Sequence, residues 1–173
     1  DNLLKRSGRE IRFLALLLQK EAEKILKSEE FMNHKIRVRF VGKGREIIKS
    51  KALDAAIEAV EEKTAHFKNG NFTILFGYDG KEEMLSTIRE FITHPAKKLN
   101  YESVRSRLWT RDLPPVDLVI RTGGEPHWSS GFMMWHTADS QFYFTEKFWP
   151  DFDEKEFKKA LAYYAPRERR FGK

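Results

Sequence analysis

Four short strand-like runs, each followed by a helix-like stretch, constrain this chain more than any other feature. Ile36-Arg37-Val38-Arg39-Phe40-Val41 alternates apolar and basic residues, the two-residue period of a strand. Phe72-Thr73-Ile74-Leu75-Phe76-Gly77 reads as a strand buried on both faces, and Val116-Asp117-Leu118-Val119-Ile120 and Gln141-Phe142-Tyr143-Phe144-Thr145 as two more. Helical spacing follows each of them. Residues 51–66 put Leu53, Ile57 and Val60 on one face, residues 80–93 run up to a stop near Pro95, residues 131–138 read as helical, and residues 153–164 form a last helix. A further helix over 8–28 carries Ile11, Leu14, Leu17, Leu18 and Ile25 as an apolar stripe, and 101–109 predicts a short one. Gly42 and Gly44 break the chain after the first strand, and Asn69-Gly70 makes a turn. Strands that alternate with helices need crossover connections. The pattern therefore predicts an α/β fold with a mostly parallel central sheet flanked by helices. No repeat or linker interrupts residues 1–173, so a single domain is expected.

Composition narrows the function classes. Hydrophobic residues are 40 % and charged residues 34 % of the chain, which is globular rather than disordered. No run of eighteen apolar residues occurs, so no transmembrane helix is expected. The absence of cysteine excludes disulfides and thiolate metal sites and fits a cytoplasmic protein. The formal net charge of +6 attracts anions: nucleic acid, anionic lipid headgroups or diphosphates. The basic residues are spread out with no aromatic–basic platform, so nucleic acid ranks last. His34, His66, His94, His127 and His136 are scattered, with no zinc-ligand spacing.

The strongest local signal is Val119-Ile120-Arg121-Thr122-Gly123-Gly124-Glu125. A strand ends in an arginine and two glycines, where parallel sheets bind ligands. Glycines let backbone N–H groups approach an anion, and a guanidinium fork fits phosphate oxygens. Ser129 and Ser130 add hydroxyls suited to the same work. The alternative is a glycine turn beside a structural Arg121–Glu125 ion pair, and the motif alone leaves both open.

Asp117-Leu118-Val119-Ile120-Arg121-Thr122-Gly123-Gly124-Glu125 resembles the signature of cis-prenyltransferases such as undecaprenyl diphosphate synthase. Further matches follow the family's order: Phe142-Tyr143-Phe144-Thr145, Trp149-Pro150-Asp151-Phe152, and Arg167-Glu168-Arg169-Arg170-Phe171-Gly172. Gly77-Tyr78-Asp79-Gly80 resembles the family's asparagine-tyrosine-glycine-glycine turn, and Asp1-Asn2 with Lys5-Arg6 resembles the segment before its long helix. The resemblance implies a parallel sheet with an apolar tunnel, and condensation of isopentenyl diphosphate with an allylic diphosphate to a longer polyprenyl diphosphate. It also implies Mg2+ and a homodimer or a heterodimer with a related subunit, built around 142–152, with peripheral membrane contact through the lipid product. By this resemblance Asn2, Arg6, Arg121, His127, Ser129, Ser130, Arg170 and Gly172 bind substrate.

Three departures qualify it. The family's aspartate-glycine-asparagine-glycine-arginine motif, with its catalytic acid, has no match here and is expected upstream of Asp1. The glutamate that helps hold Mg2+ is replaced by Gln141, an acceptor without charge. Asp139, two residues away, would share its face if 139–144 were a strand, although a solvated carboxylate is the preferred reading for Asp139. His127 stands where many members have arginine, and one residue is inserted before Phe132. The rival to an enzyme is a non-catalytic subunit of the same fold supporting an active partner; Gln141 favours it, and the intact signature favours the enzyme.

Overall fold

The structure is a computed structural model and describes Leu3 and residues 5–166. In chain order the elements are α1 (Gly8–Lys27), α2 (Glu29–Asn33), β1 (Ile36–Val41), α3 (Gly44–Ile48), α4 (Lys51–Thr64), β2 (Gly70–Leu75), α5 (Gly80–Thr93), α6 (Tyr101–Arg105), β3 (Leu118–Arg121), β4 (Gln141–Phe144) and α7 (Glu154–Tyr164). Single 3-10 turns lie at Ser129–Gly131 and Trp149–Asp151. The described strands pair only in parallel, as the strand–helix alternation requires: β1 with β2 and β3 with β4. None of the described helices is long and apolar enough to cross a membrane. The chain divides into two compact units, residues 1–86 and 87–173.

In the first unit, β1 and β2 run from Ile36 opposite Gly70 to Val41 opposite Leu75. α4 covers β1 and α1 covers α4. Leu53, Ile57 and Val60 are fully buried, as their spacing predicts. α4 also closes the free edge of β1: Val38 N–H donates to Thr64 Oγ1 at 3.0 Å and Phe40 N–H to Glu61 Oε1 at 2.7 Å. The buried arc of α1 differs from the expected stripe. Leu18 and Ile25 pack inward beside Ala15, Ala22 and Leu26, while Leu17 faces solvent, because about 3.6 residues per turn carries it off that arc. Truncating Ile57 to alanine removes methylenes from the centre of this core. We expect a loss of about 2–5 kcal/mol in urea unfolding; an unchanged midpoint would mean that Ile57 is not core.

Local chemistry explains several boundaries. Ser7 and Glu10 form a capping box on α1, Ser28 caps α2 and Ser50 caps α4. Gly44 opens α3 where the sequence suggested only a break: its N–H donates to Phe76 O at 2.9 Å, tying the turn after β1 to the end of β2. β2 is not buried on both faces; Phe72 is exposed and meets Phe31 edge-on at 5.5 Å. Asp79 Oδ1 accepts from the N–H groups of Lys81 and Glu82 at the start of α5, and Tyr78 Oη donates to the fully buried Glu83 at 2.6 Å.

In the second unit, β3 and β4 pair from Leu118 opposite Gln141 to Arg121 opposite Phe144. α7, capped by Asp153, packs on β4 with Tyr163 edge-on to Tyr143 at 5.5 Å. The Asp153 carboxyl is held below the usual carboxylate range, chiefly by the Glu156 N–H. The helix expected over 101–109 stops at Arg105, after which Arg107 and Leu108 N–H groups donate three residues back, to Val104 and Arg105. The helix expected over 131–138 does not form. Met133 sits at φ +46°, in the left-handed region, and the segment turns instead, with the buried His136 hydrogen-bonded to Thr110 Oγ1 at 3.0 Å.

Candidate active site

Arg121 is the last residue of β3, as the sequence implied, with the glycine turn directly beyond it. Its side chain is one-quarter exposed. Nε donates to the Glu125 carbonyl at 2.7 Å, and Nη2 lies 3.3 Å from Glu125 Oε2 and 3.4 Å from His127 Nε2. His127 Nδ1 lies 3.6 Å from the same Glu125 oxygen, so Arg121, Glu125 and His127 form one cluster at the carboxyl end of the strand. Among the described residues Nη1 has no partner, which leaves one edge of the guanidinium for an anion. The structural ion pair weighed as the alternative is therefore present, and it also holds the guanidinium in place.

The glycine amides do not point at an anion as the motif suggested. Gly123 N–H donates to Lys147 O at 2.8 Å and Gly124 N–H to Thr145 O at 3.0 Å, because the parallel register carries the ladder past both strand ends. Both glycines have positive φ, +97° and +73°, and a side chain on Gly124 would also crowd Glu146 Oε2 at 3.1 Å. Sequence reasoning missed Glu146 and Lys147 as neighbours of this turn; no local pattern signals contacts fixed by register. Ser129 is partly buried and Ser130 exposed at φ +49°. Their hydroxyls bond to no described residue and remain available. Trp128 Nε1 donates to Phe132 O at 2.9 Å and steadies this loop.

Gln141, another expected site residue, lies apart from this cluster. Gln141 pairs with Leu118 at the opposite end of the β3–β4 ladder, about 10 Å away at ~3.3 Å per residue. Alternation also turns it to the face opposite Arg121. Gln141 Oε1 is buried without a hydrogen-bond partner. Asp139 is exposed in the turn before β4. The strand begins at Gln141, so the shared face considered for the two does not exist. Among the described residues no three His, Asp or Glu side chains are grouped to hold a metal ion. Arg6 belongs to the first unit, where it pairs with Glu10 at 3.4 Å. Asn2, Arg170 and Gly172 lie outside the described residues.

Residues 1–172 match the sequence family described as "Putative undecaprenyl diphosphate synthase". The chain belongs to this prenyltransferase family. The prenyltransferase is 35 % identical to an isoprenyl transferase of Thermus thermophilus, over all of this chain and 68 % of that protein. It is 38 % identical to an isoprenyl transferase of Thermotoga maritima, over 97 % of this chain and 72 % of that one. Among solved structures it is similar to lavandulyl diphosphate synthase from Lavandula x intermedia in complex with dimethylallyl diphosphate. The TM-score is 0.82 and the identity 26 %, covering 98 % of this chain and 74 % of that one. The α/β fold and the enzyme class that the 117–152 block implied are those of this family.

Proposed function

We infer that this prenyltransferase joins isopentenyl diphosphate to an allylic diphosphate and forms the new double bond in the cis configuration. The observation that carries the reading is Arg121, fixed by Glu125 at the carboxyl end of a parallel strand with one guanidinium edge open. In the reaction the allylic carbon–oxygen bond breaks and diphosphate leaves with the electron pair. The isopentenyl double bond supplies the electrons of the new carbon–carbon bond, and loss of a proton creates the new double bond. Arg121 would hold diphosphate oxygens through Nη1, with Ser129, Ser130 and His127 donating to the same group. The test is incubation with labelled isopentenyl diphosphate and allylic primers of several lengths, alone and beside a related subunit. Labelled lipid-soluble product supports the reading; no product under any of these conditions would refute it.

Mg2+ belongs to the same proposal. When bound it would neutralise diphosphate charge; this chain's candidate to hold it is the Gln141 amide oxygen, a buried atom without a partner at the far end of the ladder from Arg121 and so apart from the group that Arg121 would hold. We expect Gln141→Glu to lower the Mg2+ concentration for half-saturation by about tenfold, ~1.4 kcal/mol, which is modest for one close charge in a part-buried site. Asp139→Asn should change nothing, given its exposed turn. Calorimetric Mg2+ titration in the presence of diphosphate reads both; an effect of Asp139→Asn alone would reverse the assignment.

The 142–152 region fits a subunit interface. Phe142 stacks on Phe144 with ring centres 6.0 Å apart, Trp149 stacks on Phe152, and Phe144, Phe148 and Trp149 are exposed. We expect a homodimer in light scattering at micromolar concentration, converted to monomer by Phe148→Asp with Trp149→Asp. A wild-type monomer would contradict this.

A further inference from the structure

The loop over 128–133 has a backbone that its hydroxyls alone do not explain. Ser130, Gly131 and Met133 all sit in the left-handed region, at φ +49°, +60° and +46°. Serine and methionine rarely adopt it, and such residues persist only where their surroundings over-determine them. The inner end of the loop is anchored. Met133, His136 and Thr137 are buried, Thr137 Oγ1 donates to Met133 O at 3.0 Å, and Met134 N–H donates to Gly131 O at 3.0 Å. The outer end carries Ser129 and Ser130, whose hydroxyls bond to no described residue. Two hydrogen bonds fasten that end to the anchored one. Phe132 N–H donates to Ser129 O at 2.9 Å, and Trp128 Nε1 reaches across the loop to donate to Phe132 O at 2.9 Å.

We propose that Trp128 is a positioning residue for isopentenyl diphosphate: its indole N–H closes the loop so that the Ser129 and Ser130 hydroxyls stand in place before the diphosphate arrives. This rests on the reading of those two serines as diphosphate donors and adds what holds them. The indole N–H can only donate, so its bond to a carbonyl has one sense. Trp128 is 44 % exposed, so its ring is not a core element. The residue before it ties the same frame to the guanidinium: His127 N–H donates to Glu125 O at 2.8 Å, the carbonyl that also accepts from Arg121 Nε. One residue is inserted before Phe132, and a longer loop has more conformations to lose. Without the Trp128 bond the serines would be ordered only on binding, and affinity would fall by the free energy of that ordering.

The test is calorimetric binding of isopentenyl diphosphate to four proteins: wild type, Trp128→Phe, Ser129→Ala with Ser130→Ala, and all three substitutions together. Phenylalanine keeps an aromatic ring and removes the N–H. Trp128→Phe is expected to raise the dissociation constant about three- to tenfold, the scale of one net hydrogen bond. In the serine-free protein, where Arg121 still binds, it should raise it no further, because the groups it positions are gone. Inorganic diphosphate, which shares the charged group and lacks the isoprenoid, should show the same pattern. A loss that persists undiminished in the serine-free protein would make Trp128 a ligand contact or a general support of the fold, and would overturn the proposal. So would unchanged affinity in Trp128→Phe, or a loss seen with isopentenyl diphosphate and not with inorganic diphosphate. Those three results leave the diphosphate reading of the site standing, whereas a wild-type protein that binds neither compound would remove that reading and this one together.

Discussion

Arg121→Ala is expected to weaken isopentenyl diphosphate binding by about 1.5–3 kcal/mol, roughly 10- to 150-fold, the scale of a hydrogen bond to a charged group. The guanidinium is already oriented by the Glu125 carbonyl and carboxylate, so a diphosphate meets it with little ordering left to do. Removing it also frees Glu125, whose carboxylate would then face the anion unneutralised. Arg121→Lys should recover only part of the loss, because an ammonium cannot bridge Glu125 and a phosphate with a planar fork. Calorimetry on the three proteins decides the matter, and equal affinity for wild type and Arg121→Ala would remove Arg121 from the site.

The largest effect on stability is expected at Gly42. Its φ of +120° suits no L-residue, and a Cβ there would fall onto the Phe76 carbonyl oxygen. That oxygen accepts the Gly44 N–H at 2.9 Å, so it cannot retreat without loosening the turn that joins β1 to α3. Backbone strain of about 1–3 kcal/mol and forced displacement of about 1–3 kcal/mol together predict a loss of about 2–6 kcal/mol for Gly42→Ala. Gly70→Ala is the control. A Cβ there would rest 3.7 Å from Ile36, and the change should cost nothing or add about 0.5 kcal/mol. Denaturant midpoints that move equally for the two variants would contradict this account of Gly42.

Elements written by local chemistry were the legible ones. β1 and α5 fall on the residues their patterns indicated, and Leu53, Ile57 and Val60 are buried as the α4 periodicity required. The exposed Leu17 shows the limit of reading a stripe by type alone: leucine fits either arc, and the small Ala15 and Ala22 mark the close contact instead. Met133 in the left-handed region could not be foreseen, because methionine carries no turn signal. At the site, the strand-end position of Arg121 was readable from the apolar run before it. The engagement of the Gly123 and Gly124 amides was not, since their acceptors, Lys147 and Thr145, are set by the β3–β4 register. The separation of Gln141 from Arg121 follows from the same register and was equally hidden.

The central claim is cis-prenyl transfer, and the geometry of the product's new double bond tests it most directly. Carbon-13 labelled isopentenyl diphosphate, condensed by this protein onto an allylic primer and examined by nuclear magnetic resonance, is predicted to give product whose newly formed double bonds are cis and to form it roughly 10- to 150-fold more slowly with Arg121→Ala at limiting substrate. Trans double bonds, or no condensation with any primer alone or beside a related subunit, would contradict it.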